Sequence, residues 1–180
     1  MRLFVGIPLK REVVVELSAI STRLRSDGDG LRWAAPESWH ITLQFLGNTS
    51  EEKLECVTAR LRDVHAPCVP VQIAELGFFE RTGVFFADVE LNPELVALQQ
   101  LVAAADAHCG FMTEKRPYHP HITLARTRGE GHENGLRQLK TRLKQQPALT
   151  QFVAQEFLLY ESMLERTGAR YEIRERYPLN

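Results

Sequence analysis

Four residues have the types and spacing to move protons and hold an anion: His40 with Thr42, and His121 with Thr123. They belong to a tetrapeptide that occurs twice, His40-Ile41-Thr42-Leu43 and His121-Ile122-Thr123-Leu124. An imidazole changes charge near neutral pH, so two of them can take one proton and give another in one reaction. In-line cleavage of a phosphate ester needs that pair, a base to activate water and an acid to protonate the departing oxygen. Threonine hydroxyls can donate to the non-bridging phosphoryl oxygens as charge builds on them. No G-x-x-x-x-G-K-[ST] loop, G-x-S-x-G motif or carboxylate pair competes for the role.

Each tetrapeptide alternates polar and apolar residues, the period of a half-buried strand. Side chains two apart share a face, so His40 stands with Thr42, and His121 with Thr123. Ile41, Leu43, Ile122 and Leu124 point the other way and anchor the strands in a core. Two such strands facing each other bring two imidazoles to one cleft. His119 shares the parity of His121, and with His40 it would complete three histidines for zinc. No acid that would support such a ligand set is evident nearby, so neither metal nor cofactor is expected. His65 and His108 fall near helix ends, and His132 falls in a polar loop from Gly129 to Gly135.

The elements that must position these strands follow from pattern. Strands are expected at Arg2 to Ile7, Leu31 to Trp33, His40 to Leu46, Val69 to Ile73, Val84 to Leu91, His121 onward, Phe152 to Tyr160 and Arg170 to Tyr177. Helical stripes run through Val13, Val14, Leu17, Ile20 and Leu24, then Leu54, Val57, Leu61 and Val64. A third carries Leu95, Leu98, Leu101, Val102 and Ala105, and a fourth Leu136, Leu139 and Leu143. Thr49 and Glu52 have capping-box spacing, and Asn92-Pro93-Glu94 is a strong helix start. The expectation is an α+β fold: two lobes with antiparallel sheets, helices on their outer faces, a pseudo-twofold and a central cleft. Residues 1–180 are read as one two-lobed domain.

With 22 basic against 23 acidic residues and a net charge of −1, no global basic surface draws this chain onto duplex nucleic acid. A nucleic-acid ligand would be gripped locally, at an end. The apolar run Leu3 to Leu9 is short, holds Pro8 and meets Lys10 and Arg11, so neither a signal peptide nor a membrane span is expected. Cys56, Cys68 and Cys109 form no C-x-x-C and are read as reduced thiols of a cytoplasmic monomer.

The surroundings of the motifs resemble the two-histidine phosphoesterase superfamily, in particular its bacterial RNA 2′,3′-cyclic phosphodiesterases, also called 2′-5′ RNA ligases. Arg32-Trp33, Pro36 and His40 to Gly47 are similar to the family's first block, and Arg116 to Arg126 to its second. Leu159-Tyr160-Glu161-Ser162 and Tyr171 to Leu179 are similar to its closing hairpin. The resemblance implies metal-free hydrolysis of a terminal 2′,3′-cyclic phosphate on RNA to a 2′-phosphate, with ATP-independent 2′-5′ joining as a related transfer. It implies His40 and His121 as the catalytic pair, His121 as base and His40 as acid, with Thr42 and Thr123 as phosphate donors. It also implies that Arg126 contacts substrate. Strict alternation sets Arg126 against that role, because it puts the side chain on the Ile122 face; a bulge or the strand's end would turn it inward. Otherwise Arg126 is a surface arginine beside Arg128. Phe45 has the same parity problem, and is either a core residue or a ring for a nucleobase. A module that binds nucleotides or RNA ends without turnover, and a phosphoesterase for small cyclic nucleotides, are the competing readings.

Overall fold

The computed structural model describes residues 1–128, 133–165 and 168–180, with the backbone alone at 133, 164, 165, 168 and 169. The loop expected around His132 lies outside the described residues. The strands are β1 (Arg2–Pro8), β2 (Leu31–Trp33), β3 (His40–Asn48), β4 (Val69–Val71), β5 (Ile73–Phe79), β6 (Val84–Val89), β7 (His121–Thr127), β8 (Phe152–Ala154), β9 (Glu156–Glu165) and β10 (Gly168–Pro178). The helices are α1 (Arg11–Leu24), α2 (Glu51–Arg62), α3 (Pro93–Ala107) and α4 (Glu133–Arg142).

Two four-stranded antiparallel sheets carry the motifs. One has the order β10-β9-β1-β3, the other β2-β7-β6-β5. The α+β architecture expected from the pattern is therefore present, with a two-stranded ribbon, β4-β8, beside it. That ribbon exists because two expected strands each break once. Val69 to Ile73 parts at Gln72, and Phe152 to Tyr160 parts at Gln155, so each segment serves two partners. β3 is an edge strand, whereas β7 has neighbours on both sides. The two motif strands nevertheless lie beside each other across the junction of the sheets.

The core explains why the motif strands are rigid. Ile41, Leu43, Ile122 and Leu124 are buried in one continuous cluster with Val13 and Leu17 of α1, Leu95 and Leu98 of α3, and Leu139 of α4. Each such aliphatic side chain contributes about 2 kcal/mol by leaving water. The helices thus sit behind the sheets and the histidine faces are left free. Asn92 caps α3, its side chain accepting from Leu95 N–H at 2.8 Å, with Pro93 in the first turn.

Three sequence expectations need correction. Ser50, not Thr49, caps α2 by accepting from Lys53 N–H; Thr49 is buried and donates to the Gly47 carbonyl instead. Leu101 is 42% exposed, because the buried stripe of α3 runs through Leu95, Leu98, Val102 and Asp106. Cys56 and Cys109 are joined in a disulfide, leaving Cys68 as the free thiol. The pair are far apart in sequence, but α2 packs against α3, and Cys109 lies just past His108, the C-terminal cap of α3. None of the described helices is long and apolar enough to cross a membrane.

Candidate active site

Both motifs are bent by the same device. Along β1 and β3, Val5 pairs with Gln44 but the next residue, Gly6, pairs with Thr42, so Leu43 is an extra residue on β3. Along β6 and β7, Phe85 pairs with Ala125 and Phe86 with Thr123, so Leu124 is an extra residue on β7. Each is a β-bulge at the motif's leucine and reverses the parity of the residues that follow, on β3 as far as a second shift at Leu46. Leu43 and Gln44 are both buried, as are Leu124 and Ala125. The residue five beyond each histidine then emerges on the histidine's own face. On β3 that residue is Phe45, 69% exposed; on β7 it is Arg126, also exposed. The core placement open to Phe45 by strict alternation is thus corrected. Arg126 comes near enough for its charge to act on both imidazoles and on Tyr171.

The histidine rings are held alike. Nδ1–H of His40 donates to the Ser38 carbonyl at 2.8 Å, and Nδ1–H of His121 to the His119 carbonyl at 2.8 Å. In both cases the acceptor lies two residues upstream. A carbonyl can only accept, so each Nδ1 carries the proton and Nε2 is the nitrogen left for chemistry. His40 Nε2 accepts from the Thr42 hydroxyl at 3.1 Å. Around His40 stand Phe4 at 4.5 Å, Tyr171 at 5.2 Å and Tyr160 at 5.8 Å, ring centre to ring centre. Around His121 stand Phe79 at 5.1 Å and Phe86 at 5.4 Å. The His40 ring also lies over Gly6, where a Cβ would come within 2.9 Å of the Ile41 carbonyl oxygen and 3.3 Å of His40 Cδ2. A strand glycine is needed there because a ring and a backbone approach closely.

These walls set the electrostatics. Burial pushes His40 down to about 4, and the charges of His121 and Arg126 press the same way against the pull of the Ser38 carbonyl. Burial also lowers His121, helped by His119 and Arg126 and opposed by the His119 carbonyl and Asp88. Both imidazoles therefore favour the neutral form in the empty site at neutral pH, and the charge of His121 acts on His40. The site thus sets the Arg126 charge beside two neutral imidazoles, and a bound anion would favour their charged forms.

Sequence reasoning did not find Asp88, Tyr118 or the aromatic walls. Tyr118 O–H donates to the Thr42 carbonyl at 3.0 Å and so ties the segment before β7 to β3. Asp88, opposite His121 in the sheet, accepts from His119 Nε2–H at 2.8 Å. That bond engages Nε2 of His119 and orients its ring. Among the described residues no three His, Cys, Asp or Glu stand together as a metal-binding group. Gly6 and Gly77 were the available signals for the walls, being glycines inside strands. A Cβ on Gly77 would meet the Phe86 ring at 2.7 Å.

This arrangement has relatives. The model of the 2′-5′ RNA ligase superfamily matches residues 13–162, a span that contains both motif strands. An RNA 2′,3′-cyclic phosphodiesterase of Geobacillus stearothermophilus is 32% identical over 98% of this chain, which spans 56% of that protein's length. One of Thermotoga maritima is 29% identical, over 96% of this chain and 92% of its own. The structure of Escherichia coli LigT complexed with 3′-AMP superposes with a TM-score of 0.82 at 26% identity, covering 99% of this chain and 97% of that one. Sequence match and fold agree over nearly the whole length, and the chain belongs to the 2′-5′ RNA ligase superfamily.

Proposed function

We propose that this chain is an RNA 2′,3′-cyclic phosphodiesterase, which opens the terminal cyclic phosphate of RNA to a 2′-phosphate by two-histidine acid–base catalysis. The observation that carries the reading is the repeated carbonyl clamp, which turns Nε2 of each imidazole away from the backbone, with His121 near enough for its charge to act on His40. Water attacks phosphorus, a base takes its proton, the bond to O3′ breaks, and an acid delivers a proton to O3′. His121 is the base, since Asp88 supports its affinity for a proton. His40 is the acid, since a strongly depressed imidazole gives up its proton readily once the phosphate anion has induced it to charge. Thr42 and Thr123 donate to the phosphoryl oxygens, Arg126 offsets their charge, and Phe45 stacks on the terminal base. No metal or cofactor takes part. ATP-independent 2′-5′ joining is the same transfer with a ribose hydroxyl in place of water. The unit is a single two-lobed domain acting as a monomer, and a cytoplasmic setting goes with an RNA-end substrate.

The test is a panel of mono- and oligonucleotide 2′,3′-cyclic phosphates, with the product read by NMR. A 2′-phosphate is expected; an unreacted panel, or a 3′-phosphate, sinks the proposal. A pH series on the same panel checks the electrostatics. The base must be neutral and the acid charged, and both imidazoles of the empty enzyme lie below their ordinary value of 6.5. The bell in kcat/KM, which reports free enzyme, therefore peaks below pH 6.5. The bell in kcat lies at higher pH, because the bound anion favours charged imidazoles. Coincident profiles centred above neutrality would contradict this account.

A further inference from the structure

The face that carries His40 continues across its whole sheet. Thr42 pairs with Gly6, Gly6 with Leu158, and Leu158 with Arg176, so these four positions form one row over four strands. In the next row His40 pairs with Pro8, and Glu156 with Pro178. At the far end of these rows lies a groove of about 640 Å³, lined by Pro8, Lys10, Gln155, Glu156 and Arg176 among others. Three strand spacings put Arg176 about 14 Å from Thr42. Arg176 is near enough to Tyr160 for its charge to act on that phenol, and Tyr160 stacks on Phe4 beside His40. Phe45 lies on the opposite side of His40, toward the other end of β3.

We propose that this groove receives the sugar–phosphate chain on the 5′ side of the cyclic phosphate, with Arg176 and Lys10 on its phosphodiesters. The proposal rests on the RNA phosphodiesterase reading, and it makes single-stranded oligonucleotides, rather than cyclic mononucleotides, the preferred substrate. The layout gives each part of a terminal nucleotide a place: phosphate between the histidines, base toward Phe45, and the preceding chain toward Arg176. Charge favours this direction. The groove sets two cations, Lys10 and Arg176, against one acid, Glu156, whereas the sheet neighbour of His121 on the other side is the acid Asp88. Arg176 is held by Glu156 at 2.7 Å and Lys10 by Gln155 at 2.9 Å, both in exposed positions. Exposed pairs are weak, so a phosphate oxygen can replace either partner.

The test compares a 2′,3′-cyclic mononucleotide with a short oligoribonucleotide ending in the same group, on the full chain. In Arg176→Gln the oligonucleotide-to-mononucleotide ratio of kcat/KM falls about tenfold, the effect of one lost charged contact. The salt dependence of oligonucleotide binding becomes shallower by about 0.7 in log–log slope. Glu156→Gln, which frees Arg176 and removes a like charge, raises the ratio, an outcome that damage to the fold does not mimic. A ratio unmoved by either variant, or lowered by Glu156→Gln, overturns the groove assignment alone. A wild type that opens neither substrate overturns the phosphodiesterase reading itself.

Discussion

Replacing either His40 or His121 with alanine is expected to lower turnover of a 2′,3′-cyclic phosphate by ~10²–10⁴, the worth of a positioned proton carrier. The two substitutions together should cost far less than the product of the separate losses. Acid and base act in one displacement, so once either is gone the other has little left to do. The clamps make the experiment clean. Each Nδ1–H donates to a carbonyl in its own chain segment, Ser38 for His40 and His119 for His121, so removing one ring leaves the other's orientation intact. The pH profile separates the roles. His40→Ala should abolish the limb on the high-pH side, where the acid loses its proton. His121→Ala should abolish the limb on the low-pH side, where the base gains one. Losses that multiply fully, or a bell that survives both substitutions, would show two independent groups instead of an acid–base pair.

The faces of the two motif strands were legible from sequence because they obey a local rule. A period of two assigns His40 and Thr42 to one face and Ile41 and Leu43 to the other, and the structure buries the second pair while leaving the first accessible. Phe45 and Arg126 were illegible for an equally definite reason. The bulges at Leu43 and Leu124 are fixed by pairing with β1 and β6, which no window around the motif contains. Counting alternation through a bulge gives the wrong face at the residues that follow. The repeat itself held a clue, since Phe45 and Arg126 stand at the same offset and fail the parity rule together. A shared failure in two copies points to a shared backbone irregularity.

Other gaps follow from the same cause. Phe4, Tyr160 and Tyr171 reach His40 from three strands, and Phe79 and Phe86 reach His121 from two, so the walls appear only once strand order is known. The Ser38 and His119 carbonyls have no side-chain signature at all. The Cys56–Cys109 bridge depends on helix packing between distant segments, where spacing in sequence says nothing. Pattern reading recovers what a strand does alone, and pairing decides what it presents.

Thr42→Val and Thr123→Val are expected to cost ~10²–10³ in kcat each, with much smaller changes in KM. In the proposed mechanism the hydroxyls act on phosphoryl oxygens whose charge grows as the ring opens, so their contribution would belong to the transition state. The two variants should not be equivalent. In the empty site the single Thr42 O–H proton goes to His40 Nε2 at 3.1 Å, where burial has driven that ring neutral, and it must turn to the phosphoryl oxygen when substrate binds. Valine at 42 therefore removes a phosphate donor and a partner of the acid together, while valine at 123 tests the donor role at the other motif. Thr42→Val should be the more damaging, and Thr42→Ser should restore most of its rate, because serine keeps the hydroxyl and loses only a methyl group. Stability is not expected to track these losses, since both threonines are only partly buried and lie on the face away from the core. Unchanged kcat in both valine variants would remove the hydroxyls from the reaction. A serine variant as impaired as the valine one would assign the role of residue 42 to packing of the methyl group against its neighbours.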